Sequence, residues 1–191
     1  MGTRKIYLLF SDTGTFLAKA INVYTKTPLN HASIAFDLSL EEVYSFGRKN
    51  QRNPFSGGFV KEDTRTSFFE KAKCAVYSFS ITELEYERIR RRIQQMEEQK
   101  DHYKYNALGL LGVAFNRELS RENAYFCSQF VATILSECGI YQNDKPACLI
   151  RPQDLIAWHQ LQLVYQGSLQ AYPYYQRDIS HTGLINKLNI V

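Results

Sequence analysis

Cysteine is sparse and scattered in this chain: Cys74, Cys127, Cys138 and Cys148 are the only four in 191 residues, and no two form a Cys-x-x-Cys pair. That spacing speaks against the usual zinc ligand sets, and no metal or other cofactor is expected. Long apolar runs are missing too. The run Ile6 to Phe10 is too short for the core of a signal peptide, and no segment approaches the roughly 20 apolar residues of a membrane span. Gly2 is not followed by Ser or Thr at position six, where Ile6 stands, so N-myristoylation is not indicated. Export and stable membrane insertion are therefore not expected, and a reducing cytoplasm suits free thiols. Charge of one sign is never gathered. The net charge is only +4, and the densest basic run, Arg88-Ile89-Arg90-Arg91-Arg92, is interleaved with Glu83, Glu85, Glu87, Glu97 and Glu98. It reads as a solvated helix face with i,i+4 pairs, not as a nucleic-acid surface. No repeat, low-complexity stretch or linker divides the chain, so residues 1–191 are expected to form one domain with a real core. A single Trp against 13 Tyr and 12 Phe leaves the aromatic interior or cleft to phenyl and phenol rings.

What is present is a run of short periodic segments. Lys5 to Phe10 reads as a buried strand. Ser11-Asp12-Thr13-Gly14-Thr15 is a turn whose Thr15 caps a helix over Phe16 to Tyr24. Pro28 ends that unit. Lys49 to Asp63, holding Asn53-Pro54 and Gly57-Gly58, reads as a long loop walling a cleft. Ala75 to Ser80 alternates as a strand. Thr82-Glu83-Leu84-Glu85 is a capping box opening a helix to about Lys100, with Ile81, Leu84, Ile89, Ile93 and Met96 on its buried side. Tyr105 to Phe115 reads as a second apolar helix, Pro152 as the first turn of a short one, and Leu161 to Tyr165 as a strand.

Two segments carry chemistry. Tyr125-Phe126-Cys127-Ser128-Gln129-Phe130-Val131 puts a thiol where a polar loop becomes a helix, whose apolar stripe is Phe130, Val131, Ile134 and Leu135 and whose left-handed cap is Gly139. A thiol in a first helical turn sits near unpaired N–H groups, and that field favours the nucleophilic thiolate. The plain alternative is a buried, inert cysteine. Asn30-His31-Ala32-Ser33-Ile34-Ala35-Phe36-Asp37 has period two, with Ala32, Ile34 and Phe36 on one face and His31, Ser33, Ala35 and Asp37 on the other. His31 thus opens a strand. An imidazole there is either structural or the base that activates a thiol distant in sequence.

A strand beginning with His, followed far downstream by a Phe-x-Cys-Ser-x-x-Val helix start, resembles the circularly permuted papain-like hydrolases, the YiiX-like relatives of the NlpC-type cell-wall amidases. Here His31 precedes Cys127, which is the permuted order, shared with the lecithin:retinol acyltransferase-like branch. The likeness rests on Tyr7 to Gly47 and Tyr125 to Gly139, under a third of the chain. It implies an α+β, permuted papain-like fold in which a small antiparallel sheet packs against helices. It implies a cysteine peptidase or amidase acting on small cell-wall-type peptides, with Cys127 as nucleophile and His31 as base. It also implies a third polar group on the strand after His31. Leu38 to Glu42 can turn the chain and Val43 to Phe46 can be that strand; a hairpin about Leu38 sets Ser45 opposite His31. Serine departs from the His, Glu or Asn of relatives, and Glu42 and Asp37 are the alternatives. Tyr125 and Ser128, which flank Cys127, are candidate substrate contacts. Lipid or thioester acyl transfer, with Tyr105 to Phe115 as an apolar groove, and noncatalytic peptide binding on the same scaffold stay open.

Leu8-Leu9-Phe10-Ser11-Asp12-Thr13-Gly14 also resembles the Asp-Thr-Gly turn of aspartic proteases. Those enzymes need two such carboxylates and continue as β structure, whereas Phe16 to Ile21 has helical period. Asp12 is instead either a turn former or, near the cleft of a permuted hydrolase, an acceptor for a substrate amine.

Overall fold

The computed structural model describes residues 2–12, 29–48, 57–67, 69 and 72–175. The helix expected over 16–24, part of the expected loop, at 49–56, and the end of the tail, 176–191, lie outside these residues.

Six strands form one antiparallel sheet: β1 (Thr3–Ser11), β2 (His31–Ala35), β3 (Val43–Arg48), β4 (Gly57–Glu62), β5 (Lys73–Thr82) and β8 (Gln162–Ser168), in the order β4-β3-β2-β1-β5-β8. Four helices accompany it among the described residues: α1 (Glu83–Glu98), α2 (Ala107–Ala114), α3 (Cys127–Glu137) and α4 (Pro152–Ile156). A small parallel pair, β6 (Lys104–Tyr105) and β7 (Ala124–Tyr125), leads into α2 and α3. The α+β expectation agrees at this level of mixed helices and antiparallel sheet. No helix of the described residues is long and apolar enough to cross a membrane.

Alternation in the strands makes two apolar faces. Ile6, Leu8, Phe10, Ala32, Ile34, Tyr44, Phe46, Phe59, Phe79 and Ile81 bury one face against Ile89, Ile93 and Met96 of α1 and Phe130, Val131, Ile134 and Leu135 of α3. Leu9, Ala35, Val43, Cys74 and Val76 line the other, under Phe69, Ala72, Leu169 and Tyr172. Each fully buried Val, Leu, Ile, Phe or Met side chain among them contributes roughly 1.5–3 kcal/mol. All five residues of β2 are consequently buried, so its polar face is covered, not solvated.

Several elements follow from their local sequence. Thr82 and Glu85 form the expected reciprocal cap of α1. Leu84 departs from expectation and is 62% exposed, because it lies about 140° around the helix from Ile89; Tyr86 takes the buried place. Gly139 ends α3 at φ 79°, the left-handed region glycine enters without cost. The expected loop over 49–63 is the main disagreement, because its residues 57–62 form β4 along the whole of β3.

Candidate active site

The thiol of Cys127 sits at the first residue of α3. Phe126 before it is extended and gives no side-chain cap, so it offers the first-turn N–H groups no acceptor. Cys127 is buried, with Sγ 3.8 Å from the carbonyl oxygen of Asn30. Burial alone would raise its pKa. Hydrogen bonding and charge from His31, with the backbone N–H groups of Ala32 and Ser128, outweigh burial and hold the thiol below its ordinary range. Burial pushes the other three cysteines up, Cys74 to about 12.

His31 opens β2, as its period-two segment implied, and lies close enough to Cys127 for each to shift the pKa of the other. Its Nε2 lies 2.7 Å from Oε1 of Glu62, and the two side chains are only 10% and 8% exposed. With Nε2 engaged by the carboxylate, Nδ1 is the nitrogen left for the thiol. Burial works against the imidazolium, but Glu62 and Cys127 together raise the pKa well above the usual histidine value.

Glu62 is the group that sequence reasoning missed. It ends β4, and its carboxylate is satisfied on both oxygens. Oε1 accepts from His31 and from Ser45 Oγ at 2.7 Å, and Oε2 accepts from Ser33 Oγ at 2.6 Å. Burial raises its pKa, yet His31 and the two hydroxyls more than compensate, so it stays below the ordinary carboxylate value.

The geometry reassigns the third polar position. The β2–β3 register pairs Ile34 with Tyr44 and Ala35 with Val43, two residues away from the expected alignment. Continued along the strands, it sets Ser45 across from Ser33 and Gly47 across from His31. Ser45 keeps the expected face but bonds Glu62 and not His31. A Cβ on Gly47 would lie in ordinary contact with Ser45 Oγ, at 3.4 Å, and with Oε1 of Glu62, at 3.7 Å, so the carboxylate reaches over β3 on the face of Ser45 and Gly47. The alternatives are engaged elsewhere. Glu42 makes a two-pronged ion pair with Arg90, and Asp37 accepts from Ser39 Oγ and from the N–H groups of Glu41 and Glu42.

The remaining candidates divide. Asp12 follows β1 beside the site: its Oδ1 is 3.4 Å from Nδ2 of Asn30, the residue whose carbonyl meets Cys127. Ser128 is buried, and its hydroxyl donates to the Ile150 carbonyl at 2.8 Å, so its side chain braces α3 and is not offered to a substrate. Tyr125 packs its ring edgewise on Phe46, 5.1 Å between centroids, which anchors the approach to α3. No group of three or more His, Cys, Asp or Glu among the described residues is arranged to hold a metal ion.

A thiol lowered in pKa, an imidazole raised, and a carboxylate behind it can together hold a thiolate–imidazolium pair, a nucleophile with a proton donor beside it. Comparison with known proteins gives no match to a family model, to a curated protein or to a solved structure.

Proposed function

We propose that this chain is a cysteine hydrolase of amide bonds in small peptides, of the permuted papain-like kind. One observation carries the reading: the buried His31 has its Nε2 on Glu62, which leaves Nδ1 for the neighbouring Cys127, whose pKa His31 lowers. In the proposed cycle the Cys127 thiolate attacks the amide carbonyl carbon. The backbone N–H of Cys127 helps to hold the oxyanion. His31 gives its proton to the nitrogen as the C–N bond breaks, leaving a thioester and a free amine. The neutral imidazole then takes a proton from water as the water oxygen attacks the thioester. The acid departs and the thiolate–imidazolium pair is restored.

The test is the pH dependence of iodoacetamide alkylation, read peptide by peptide. Cys127 is expected to react at neutral and mildly acid pH, with the rate falling on the acid side as the thiolate takes up a proton. Cys74, Cys138 and Cys148, raised by burial, are expected to react at alkaline pH only. A Cys127 that alkylates no faster than these would leave a noncatalytic scaffold.

The substrate side of the proposal rests on Asp12. A partly shielded carboxylate joined through Asn30 to the surroundings of the nucleophile suits a substrate amine, and such a charge-assisted contact is worth about 1.5–3 kcal/mol. Asp12→Asn is therefore expected to lower kcat/KM on peptides with a free amino terminus by roughly 10- to 100-fold. N-acetylated analogues should be poor substrates that the mutation barely changes. Equal loss on both would reduce Asp12 to a turn residue.

A second reading, acyl transfer to an acceptor other than water, is favoured by the apolar surface at and just beyond α2, where Leu108, Phe115 and Leu119 are exposed, Phe115 by 74%. Product analysis separates the two: hydrolysis releases the free acid, and transfer consumes the acceptor.

A further inference from the structure

We infer that Ser33 and Ser45 are positioning residues that aim the Glu62 carboxylate at His31 and keep it ionised, and through it set the charge state of Cys127. This rests on the thiol reading above and extends it to two side chains whose hydrogen bonds go to Glu62.

The inference begins with placement. Ser33 of β2 and Ser45 of β3 share the face of His31 and are fully buried. Along the same face lie Leu9, Ala35 and Val43, which offer a carboxylate nothing. A carboxylate brought there without donors would take up a proton. The two hydroxyls prevent this, one on each oxygen, at 2.6 and 2.7 Å. They also fix which oxygen faces His31. Ser33 claims Oε2, so Oε1 is left for the imidazole, and Ser45 shares Oε1 from the β3 side. A serine hydroxyl has one proton, so both must donate to Glu62 for this arrangement to hold.

Among the described residues, the other titratable groups around the cluster do not duplicate this work. Glu62 of β4 bonds His31 directly, and Cys127 of α3 lies near enough to raise its pKa. Asp12, after β1, is engaged with Asn30, and Cys74 of β5 on the same sheet face is a thiol raised to about 12. With the serines gone, a protonated Glu62 would no longer support the imidazolium, and Cys127 would revert towards an ordinary buried thiol.

The test uses Ser33→Ala, Ser45→Ala and Ser45→Thr in the full chain, with iodoacetamide as the probe of Cys127 and melting temperature as the control for folding. Each alanine variant is expected to alkylate about threefold to tenfold more slowly at pH 6, with the midpoint moved to higher pH. A hydrogen bond to a charged group is worth about a factor of ten or more to the charged form, and only part of it is relayed through His31. Ser45→Thr, which keeps the hydroxyl, should restore the parent profile. Alanine variants that melt lower but alkylate with the parent midpoint would overturn the inference, since packing loss alone does not move a thiol's titration. A parent Cys127 that ionises only at ordinary thiol pH would instead overturn the thiol reading itself, whatever the serine variants do.

Discussion

Cys127→Ser is expected to fold and to show no amide hydrolysis above the uncatalysed background. The exchange is close to isosteric at a buried helix start, and a hydroxyl there can still donate to the Asn30 carbonyl. What it cannot do is ionise near neutral pH, so the nucleophile is lost while the fold is kept. Stability should report the same loss through its pH dependence. Cys127 is lowered in the folded state, so its thiolate contributes stability that is fully present above the unfolded thiol value, about 8.5, and is lost as pH falls through the folded value. His31 is raised, so it contributes below about 6.5 and loses that contribution as pH rises through its folded value. The serine variant removes the first contribution. The gap in melting temperature between parent and variant should therefore narrow as pH is lowered. Cys138→Ser, at a buried thiol whose pKa is raised, should leave turnover unchanged. Measurable turnover by Cys127→Ser, or a melting gap that is flat with pH, would rule out the thiolate mechanism.

The parts of this site that were legible in the sequence are those written locally. A polar-to-apolar switch with helical spacing places Cys127 at a helix start, and period-two alternation puts His31, Ser33 and Ala35 on one face. Capping of α1 by Thr82 and Glu85, and the glycine end of α3, are local in the same way. The partner of His31 was not legible, because it depends on register. The turn between β2 and β3 closes with the Phe36 N–H on the Glu42 carbonyl, and it carries Leu40 at φ 56°. A leucine gives no sign of that conformation. The resulting two-residue change moves Ser45 from His31 to Ser33, and it puts Gly47 where a side chain was expected. Glu62 was hidden differently. Gly57-Gly58 reads as a loop signal, and only Phe59 to Glu62 remain to show a strand. In the sheet those glycines pair with Arg48 and Gly47, and the strand they begin delivers its last residue to the imidazole.

Glu62→Ala should be the most damaging change outside the thiol itself. It strips the acceptor from Nε2 of His31 and from two buried hydroxyls at once. Breaking a buried pair by removing one partner costs about 3–5 kcal/mol, less what His31 recovers by giving up its proton. Without the carboxylate, its charge and hydrogen bond no longer offset burial, and the pKa of the imidazole falls. Cys127 then loses the positive neighbour that offsets its own burial. Proton transfer by His31 fails in the same step, and kcat/KM at neutral pH should drop by roughly 10²- to 10⁴-fold, the range for loss of general acid–base catalysis. Glu62→Gln divides the effect. Its amide oxygen can still accept from His31, so orientation survives, but the charge does not. The bell of kcat/KM against pH should narrow from both sides. Its alkaline limb moves down as His31 deprotonates earlier, and its acid limb moves up as Cys127 ionises later. Full activity in Glu62→Gln with loss in Glu62→Ala would assign Glu62 to orientation alone. An alkylation profile for Glu62→Ala that matches the parent would remove Glu62 from the chemistry and leave it a buried ligand of two serines.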